Sequence, residues 1–363
     1  MNILHVVGAR PNFMKITPVW RAISNTISGQ QTLVHTGQHY DINMSEVFFT
    51  HLGLPKPDYY LGVGSGTHAE QTAAIMIALE KVLTELNPDL VLVYGDVNST
   101  IAAALVSAKL MIPVGHVEAG LRSFDRSMPE EINRLLTDQI ADLLFTPSKD
   151  GNENLLREGI DPRKIHFVGN VMIDTLVQLL PKARNTKVKD LSDRYALVTL
   201  HRPSNVDDLT QLKQIVSTLI EISDDIQIVF PVHPRTRKRI TEFNIEFPGT
   251  NTFKLLEPLG YLDFIALLKT ATVAITDSGG IQEETTYLGL PCLTVRKNTE
   301  RPITISLGTN TLIGKDMSLL KQEVGRVLSG DVKKGKIPPL WDGQTSERIV
   351  NVLQRFFKNL TSN

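Results

Sequence analysis

The chain has 363 residues, more than one hydrophobic core ordinarily serves, so two α/β domains are expected. Hydrophobic residues make up 42% and charged residues 21%, which excludes a disordered or fibrous chain. A formal net charge of −1, with no basic run interleaved with aromatics, argues against nucleic-acid binding, so any anion must be held by local cations and helix N-termini.

The opening Met1-Asn2-Ile3-Leu4-His5-Val6-Val7-Gly8 is too short an apolar run for a signal peptide and lacks a cationic start, so it reads as a first strand. No run of about 18 uncharged apolar residues follows, and no membrane span is expected. Short β-rich runs then alternate with helical patterns: Ile3–Val7, Thr32–His35, Leu90–Tyr94, Val114–Val117, Leu143–Thr146 and His166–Val168. Their near-continuous Val, Leu and Ile suit strands buried on both faces of a parallel sheet. The Lys/Arg/Asp-rich stretch from Lys182 to Asp190 reads as a linker. A second α/β series follows at Tyr195–Leu200, Ile226–Phe230, Phe253–Leu256, Val273–Thr276 and Cys292–Val295, and an amphipathic stretch, Ser346–Leu360, closes the chain as a helix.

These elements predict two Rossmann-like domains, residues 1–180 and 181–345, with residues 346–363 as the closing helix. The halves echo each other: Leu90–Tyr94 leads into Gly95-Asp96 and a small-residue helix, and Val273–Thr276 leads into Asp277-Ser278-Gly279-Gly280 and a helix. Because ligands of open parallel sheets collect beyond the carboxyl ends of the strands, the chemistry is expected in a cleft across which the domains face. Cys292, the single cysteine, reads as a buried structural thiol in a reducing, cytoplasmic setting.

Candidate site residues fall at those strand ends. Ser278, Gly279 and Gly280 form a turn whose backbone N–H groups can approach a phosphate, and Glu284, one turn on, can accept from ribose hydroxyls; the bland alternative is a glycine turn with an acidic first helical turn. Arg10 and Lys15 flank another strand-to-helix turn and could clamp a phosphate, although for Lys15 in isolation an ordinary surface cation is the favoured reading. Neither turn carries a G-x-G-x-x-G or P-loop pattern, so no nicotinamide or nucleoside-triphosphate cofactor is expected. Asp96 and Glu118 each follow a strand, and Glu130 opens a helix. Asp96 could be a helix cap, and Ser127-Met128-Pro129-Glu130 matches a capping box, which spacing alone favours for Glu130; Glu118 has no evident local partner. His201-Arg202 ends a strand of the second half and suits a departing phosphate. His116 and Glu118 fit no zinc-ligand spacing, so no metal is expected.

Taken together, Gly8-Ala9-Arg10-Pro11 with Lys15, Gly115-His116-Val117-Glu118-Ala119-Gly120-Leu121-Arg122, Pro129-Glu130-Glu131-x-Asn133-Arg134, His201-Arg202, Asp277-Ser278-Gly279-Gly280-Ile281-Gln282-Glu283-Glu284 and Thr299-Glu300-Arg301-Pro302 closely resemble the non-hydrolysing UDP-N-acetylglucosamine 2-epimerases. The resemblance implies a glycosyltransferase-B type fold whose C-terminal domain binds UDP, a homodimer, and interconversion of UDP-N-acetylglucosamine and UDP-N-acetylmannosamine for polysaccharide biosynthesis. It implies Asp96, Glu118 and Glu130 as catalytic acids and His201 as the residue serving the UDP leaving group. Arg10, Lys15, Ser278, Gly279, Gly280, Glu284 and Arg301 match substrate-binding positions. The chain departs from the commoner pattern at Asn12, Ser204 and Ile303, each where an acid is usual, which leaves the exact sugar open. Gln38, His39 and His233 resemble parts of an activator site while their surroundings do not, so no activator is expected.

Inverting C2 without a nicotinamide or an adjacent carbonyl leaves elimination as the economical route. Loss of UDP from C1 builds positive charge on the ring and makes the C2 proton removable by a carboxylate, giving 2-acetamidoglucal. Proton loss and return on opposite faces need at least two acid–base groups. A hydrolysing epimerase, a glycosyltransferase of the same fold and a silent UDP-sugar sensor are the alternatives.

Overall fold

The computed structural model describes residues 1–38, 52–183 and 188–360, the side chains of Arg10 and Leu360 excepted. Two compact units emerge: Met1–Thr175 together with Pro339–Asn363, and Leu176–Pro338. The sequence-based boundary at 180/181 compares with a division five residues earlier, inside the helix Val171–Leu179.

In the first unit the strands are β1 (Asn2–Val7), β2 (Gln30–His35), β3 (Tyr59–Tyr60), β4 (Leu90–Tyr94), β5 (Val114–Val117), β6 (Leu143–Thr146) and β7 (Ile165–Phe167). They form a sheet in the order β3-β2-β1-β4-β5-β6-β7, every pair parallel. The second unit holds β8 (Tyr195–Thr199), β9 (Gln227–Pro231), β10 (Phe253–Leu256), β11 (Val273–Thr276), β12 (Cys292–Thr294) and β13 (Asn310–Leu312), ordered β10-β9-β8-β11-β12-β13 and again parallel throughout. Each sheet therefore reverses direction of growth once, between β1 and β4 and between β8 and β11. At such a switch point the connections leave on opposite faces and open a crevice at the carboxyl ends of the strands.

The sequence dictates this arrangement through burial. Leu4, Val6, Val34, Val91, Val93, Val114 and Leu144 form a core with the inward faces of the helices over one sheet, and Val198, Ile228, Phe230, Val273, Ile275 and Leu293 do the same in the other. Each such side chain contributes about 1.5–3 kcal/mol on burial. Helix His68–Leu86 begins with a capping box between Thr67 and Glu70 and ends at Asn87 in the left-handed conformation. The closing helix Thr345–Leu360 belongs to the first unit and packs on helix Arg10–Thr26. Its first free N–H groups, those of Thr345 and Ser346, donate to the Asp174 carboxylate at 3.0 and 2.7 Å. No described helix is long and apolar enough to cross a membrane.

Candidate functional site

In the first unit two of the predicted acids, Asp96 and Glu118, lie at the carboxyl ends of strands on one side of the switch point. Asn12 accepts from the N–H groups of Gly8 and Ala9 and donates to the Tyr94 carbonyl at 2.8 Å, tying the loop after β1 to the end of β4. Asp96 and Glu118 stand just beyond adjoining strands, since Tyr94 of β4 lies in register with Val117 of β5. Glu118 does have a partner: Lys15, on the helix after β1, donates to its carboxylate, and both side chains are more than nine-tenths buried. Gly95 makes room for that pair, because a Cβ there would lie 2.5 Å from the Lys15 ammonium nitrogen. Lys15 is thus engaged inside its own unit instead of lying on the surface. The side chain of Arg10 lies outside the described residues.

Asp96 is not a helix cap. The helix that follows starts at Asn98 behind Val97 with no side-chain cap, and the Asp96 carboxylate pairs with Arg134. Arg134 in turn donates to Glu131 through Nε and Nη2, and Asn133 donates to the Asp96 carbonyl at 2.9 Å. The capping box expected at Glu130 does not form either. Helix Pro129–Ile140 is preceded by Met128 without a side-chain cap, because Ser127 Oγ donates to Asp125 instead. Glu130 sits half-buried in the first turn, and Glu131 takes the N–H groups of Ser123 and Phe124. Burial opposes ionisation of Glu131, but these donors and Arg134 outweigh it and hold the carboxyl below its ordinary value. One helix therefore carries Glu130 and, through Asn133 and Arg134, fixes Asp96.

In the second unit His201 follows β8 and Asp277 follows β11, neighbours across that switch point. Asp277 is fully buried and accepts from the N–H groups of His201 and Arg202 and from Asn205 Nδ2, and its carboxylate faces His201 Nδ1 at 3.0 Å. Burial alone would raise the Asp277 pKa; the His201 ring and the amide donors win and lower it. The half-buried His201 is thereby oriented, leaving Nε2 for other partners. Helix Gly279–Leu288 has no acid in its first turn, so the acidic-turn alternative fails, and its N-cap residue Ser278 makes no side-chain capping hydrogen bond. Gly279 is required by close approach: a Cβ would lie 2.5 Å from Arg301 Nη1 and 2.8 Å from Glu300 Oε1. Arg301 is held by Glu300 and Glu283 beside that turn. Ser278 and Gly280 are half-buried at the same helix start.

Glu284 is buried, with one oxygen accepting from the Tyr261 hydroxyl at 2.7 Å and Oε2 meeting no hydrogen-bond donor among the described residues. Burial pushes its carboxyl up to about 8, the Tyr261 hydroxyl opposing the shift and Glu283 adding to it. Tyr261, Asp277, Asn133 and Arg134 are the supporting groups that sequence reasoning left without roles. Three of them stood inside recognisable motifs, whereas Tyr261 carries no sequence signal. Gln38 accepts from Ser99 N–H and Oγ, His233 caps helix Pro234–Glu242, and His39 lies outside the described residues. Cys292 is fully buried and its thiol is pushed up to about 11, as a structural thiol should be. Among the described residues no cluster of three or more His, Cys, Asp or Glu could hold a metal.

Comparison with known proteins places these features in a family. The family model described as UDP-N-acetylglucosamine 2-epimerase matches residues 21–354. A UDP-N-acetylglucosamine 2-epimerase of Methanocaldococcus jannaschii is 46% identical over 97% of this chain and 99% of its own. A UDP-2,3-diacetamido-2,3-dideoxy-D-glucuronate 2-epimerase of Pseudomonas aeruginosa is 41% identical over 98% of this chain and all of its own, 100%. The crystal structure of the M. jannaschii enzyme in complex with UDP-GlcNAc and UDP superposes with a TM-score of 0.90 at 45% identity, covering 98% of this chain and 100% of that one.

Proposed function

Because the chain belongs to the UDP-N-acetylglucosamine 2-epimerase family, we propose that it interconverts UDP-N-acetylglucosamine and UDP-N-acetylmannosamine without hydrolysis, by eliminating UDP and adding it back. The observation that carries this reading is the placing of Asp96 and Glu118 at the ends of adjoining strands, with Glu130 on the helix that holds Asp96. Such a set supplies more than one acid–base group to a single sugar ring.

In the proposed cycle the residues of the Gly279-Gly280 turn take the nucleotide, and Asp96, Glu118 and Glu130 act on the sugar. The Ser278 hydroxyl and the N–H groups of Gly279 and Gly280, with Arg301, bind the diphosphate, and Glu284 Oε2 accepts from the ribose hydroxyls; Arg10 and Lys15 are assigned to the diphosphate by the resemblance alone. His201, held by Asp277, stabilises the leaving phosphate. As the C1–O bond breaks its electron pair leaves with UDP; one carboxylate removes the C2 proton, the C1–C2 double bond forms, and 2-acetamidoglucal results. Re-addition returns a proton to the other face of C2 while a UDP phosphate oxygen attacks C1. Retention of both fragments between the two steps separates this reaction from hydrolysis. The resemblance further supports a cytoplasmic homodimer that needs no cofactor.

Proton NMR of the protein with UDP-N-acetylglucosamine in deuterium oxide tests the reading. Deuterium at C2 and an equilibrium of two UDP-sugars are expected; free N-acetylmannosamine would indicate hydrolysis, and an unexchanged substrate would overturn the proposal. Glu118→Gln should keep UDP affinity while losing C2 exchange, and unchanged exchange would remove Glu118 from the mechanism. A second reading, that the substrate is a UDP-2,3-diacetamido uronate, takes its support from the Pseudomonas relative, and the same assay with that sugar tells the two substrates apart.

A further inference from the structure

We infer that Asp138, a fully buried carboxylate outside the proposed substrate contacts, is the positioning residue that sets the backbone carrying Glu118. The inference rests on the reading of Glu118 as an acid–base group at C2. Asp138 accepts from three donors, and all three flank Glu118 in the chain. Its Oδ1 takes His116 Nδ1 at 2.6 Å, two residues before; its Oδ2 takes Gly120 N at 3.0 Å, two residues after, and Arg122 Nη1 at 2.7 Å. The other ring nitrogen of His116, Nε2, donates to the Gly95 carbonyl at 2.8 Å. Asp138 and the His116 ring it holds thus tie together the ends of β4 and β5, which lead into Asp96 and Glu118.

The segment between these anchors needs holding. Glu118 has φ +77°, a left-handed conformation that side chains other than glycine rarely adopt. The N–H groups of Glu118 and Ala119 both converge on the Phe145 carbonyl, which leaves Gly120 N as the next donor to be fixed, and Asp138 fixes it. Arg122 supplies the compensating charge and is itself held by Glu158 through Nε and Nη2. His116, Asp138 and the Arg122 side chain are all within 1% of full burial, so water does not substitute for a lost bond without rearrangement. A displacement of the carboxylate by about 1 Å is enough to cost about 100-fold in rate with little effect on binding remote from it.

Two variants test this. Asp138→Asn keeps the volume but turns an N–H₂ group toward donors; His116→Asn keeps a donor near the Nδ1 position and deletes the ring that reaches the Gly95 carbonyl. For both, kcat for C2 exchange should fall about 100-fold while KM stays within about threefold of wild type, the signature of an interaction lost in the transition state alone. Amide hydrogen exchange, followed by mass spectrometry in the same full-length proteins, should show faster exchange in the peptide spanning residues 115–122, with peptides of the second unit unchanged. Unaltered kcat in a folded Asp138→Asn, equal losses in UDP affinity and kcat, or failure of both variants to fold would each overturn the inference. If the wild type itself exchanges no C2 proton, the functional reading fails, and hydrogen exchange at residues 115–122 still decides whether Asp138 holds this segment.

Discussion

Glu284 shows how a single residue couples a binding role to a cost in stability. Its carboxyl titrates near 8 in the folded chain against an ordinary value of 4.5, so between those limits the native state binds a proton that the unfolded state has released. Stability is therefore lost as pH rises from about 4.5 toward 8, by as much as a few kcal/mol. Glu284→Gln removes the titration and should melt higher than wild type at pH 8, by about 2–4 °C for each kcal/mol recovered, with little difference near pH 5. At pH 8, where part of the wild type carries the charge, the same change removes charged acceptance from ribose and UDP affinity should fall about tenfold. Near pH 5 both carboxyl and amide are neutral, and the affinities should lie close together. Thermal melts and calorimetric titration at both pH values check this; a melting difference that does not grow with pH would refute the assigned burial effect. The acids themselves were legible in sequence because each follows an apolar strand or opens a helix. Their partners were not: Lys15 lies 103 residues from Glu118 and Tyr261 lies 23 from Glu284, separations that no local pattern encodes.

At the scale of elements, the strands from Leu90 to Tyr94, Val114 to Val117, Leu143 to Thr146, Phe253 to Leu256 and Val273 to Thr276 agree with the sequence reading residue for residue. Burial on both faces makes such runs continuously apolar and bounds them sharply. Tyr59–Tyr60 and Asn310–Leu312 escaped because they are edge strands of two and three residues, too short for any periodicity. The capping box at Ser127 also misled, since a matching spacing does not oblige the serine to turn toward the helix when Asp125 is nearer. Helix Gly279–Leu288 offers the sharpest test at this scale. Gly279→Ala would drive a Cβ into Arg301 and Glu300, forcing either the helix start or the ion cluster to move. A stability loss of about 1–3 kcal/mol is expected, as for other overpacked sites. UDP affinity should fall as the N–H groups shift, whereas alanine at Gly289, past the other end of the helix, meets no neighbour but is strained by the left-handed backbone (φ +70°), so it should cost stability and leave UDP affinity intact. Equal affinity losses for the two variants would show that the turn has no special part in binding.

For the whole molecule, the course of the chain matters more than either sheet alone. It leaves the first unit after Thr175, builds the second, and returns at Pro339 to complete the first. What completes it is specific: Trp341 is buried and donates from Nε1 to the Pro147 carbonyl at 2.9 Å, and Asp174 accepts from the first N–H groups of the closing helix. Each unit keeps its own apolar core. Trp341→Ala should therefore destabilise the first unit by about 3–5 kcal/mol, the usual range for losing a buried tryptophan, and leave the second unit's core strands protected. Peptide-resolved hydrogen exchange checks this directly. Peptides covering β6, helix Arg10–Thr26 and the closing helix should exchange faster, and those covering β8, β9 and β11 should not. Uniformly faster exchange would mean that the two cores unfold as one cooperative unit, and the closing helix would then stabilise the entire chain instead of the unit it completes.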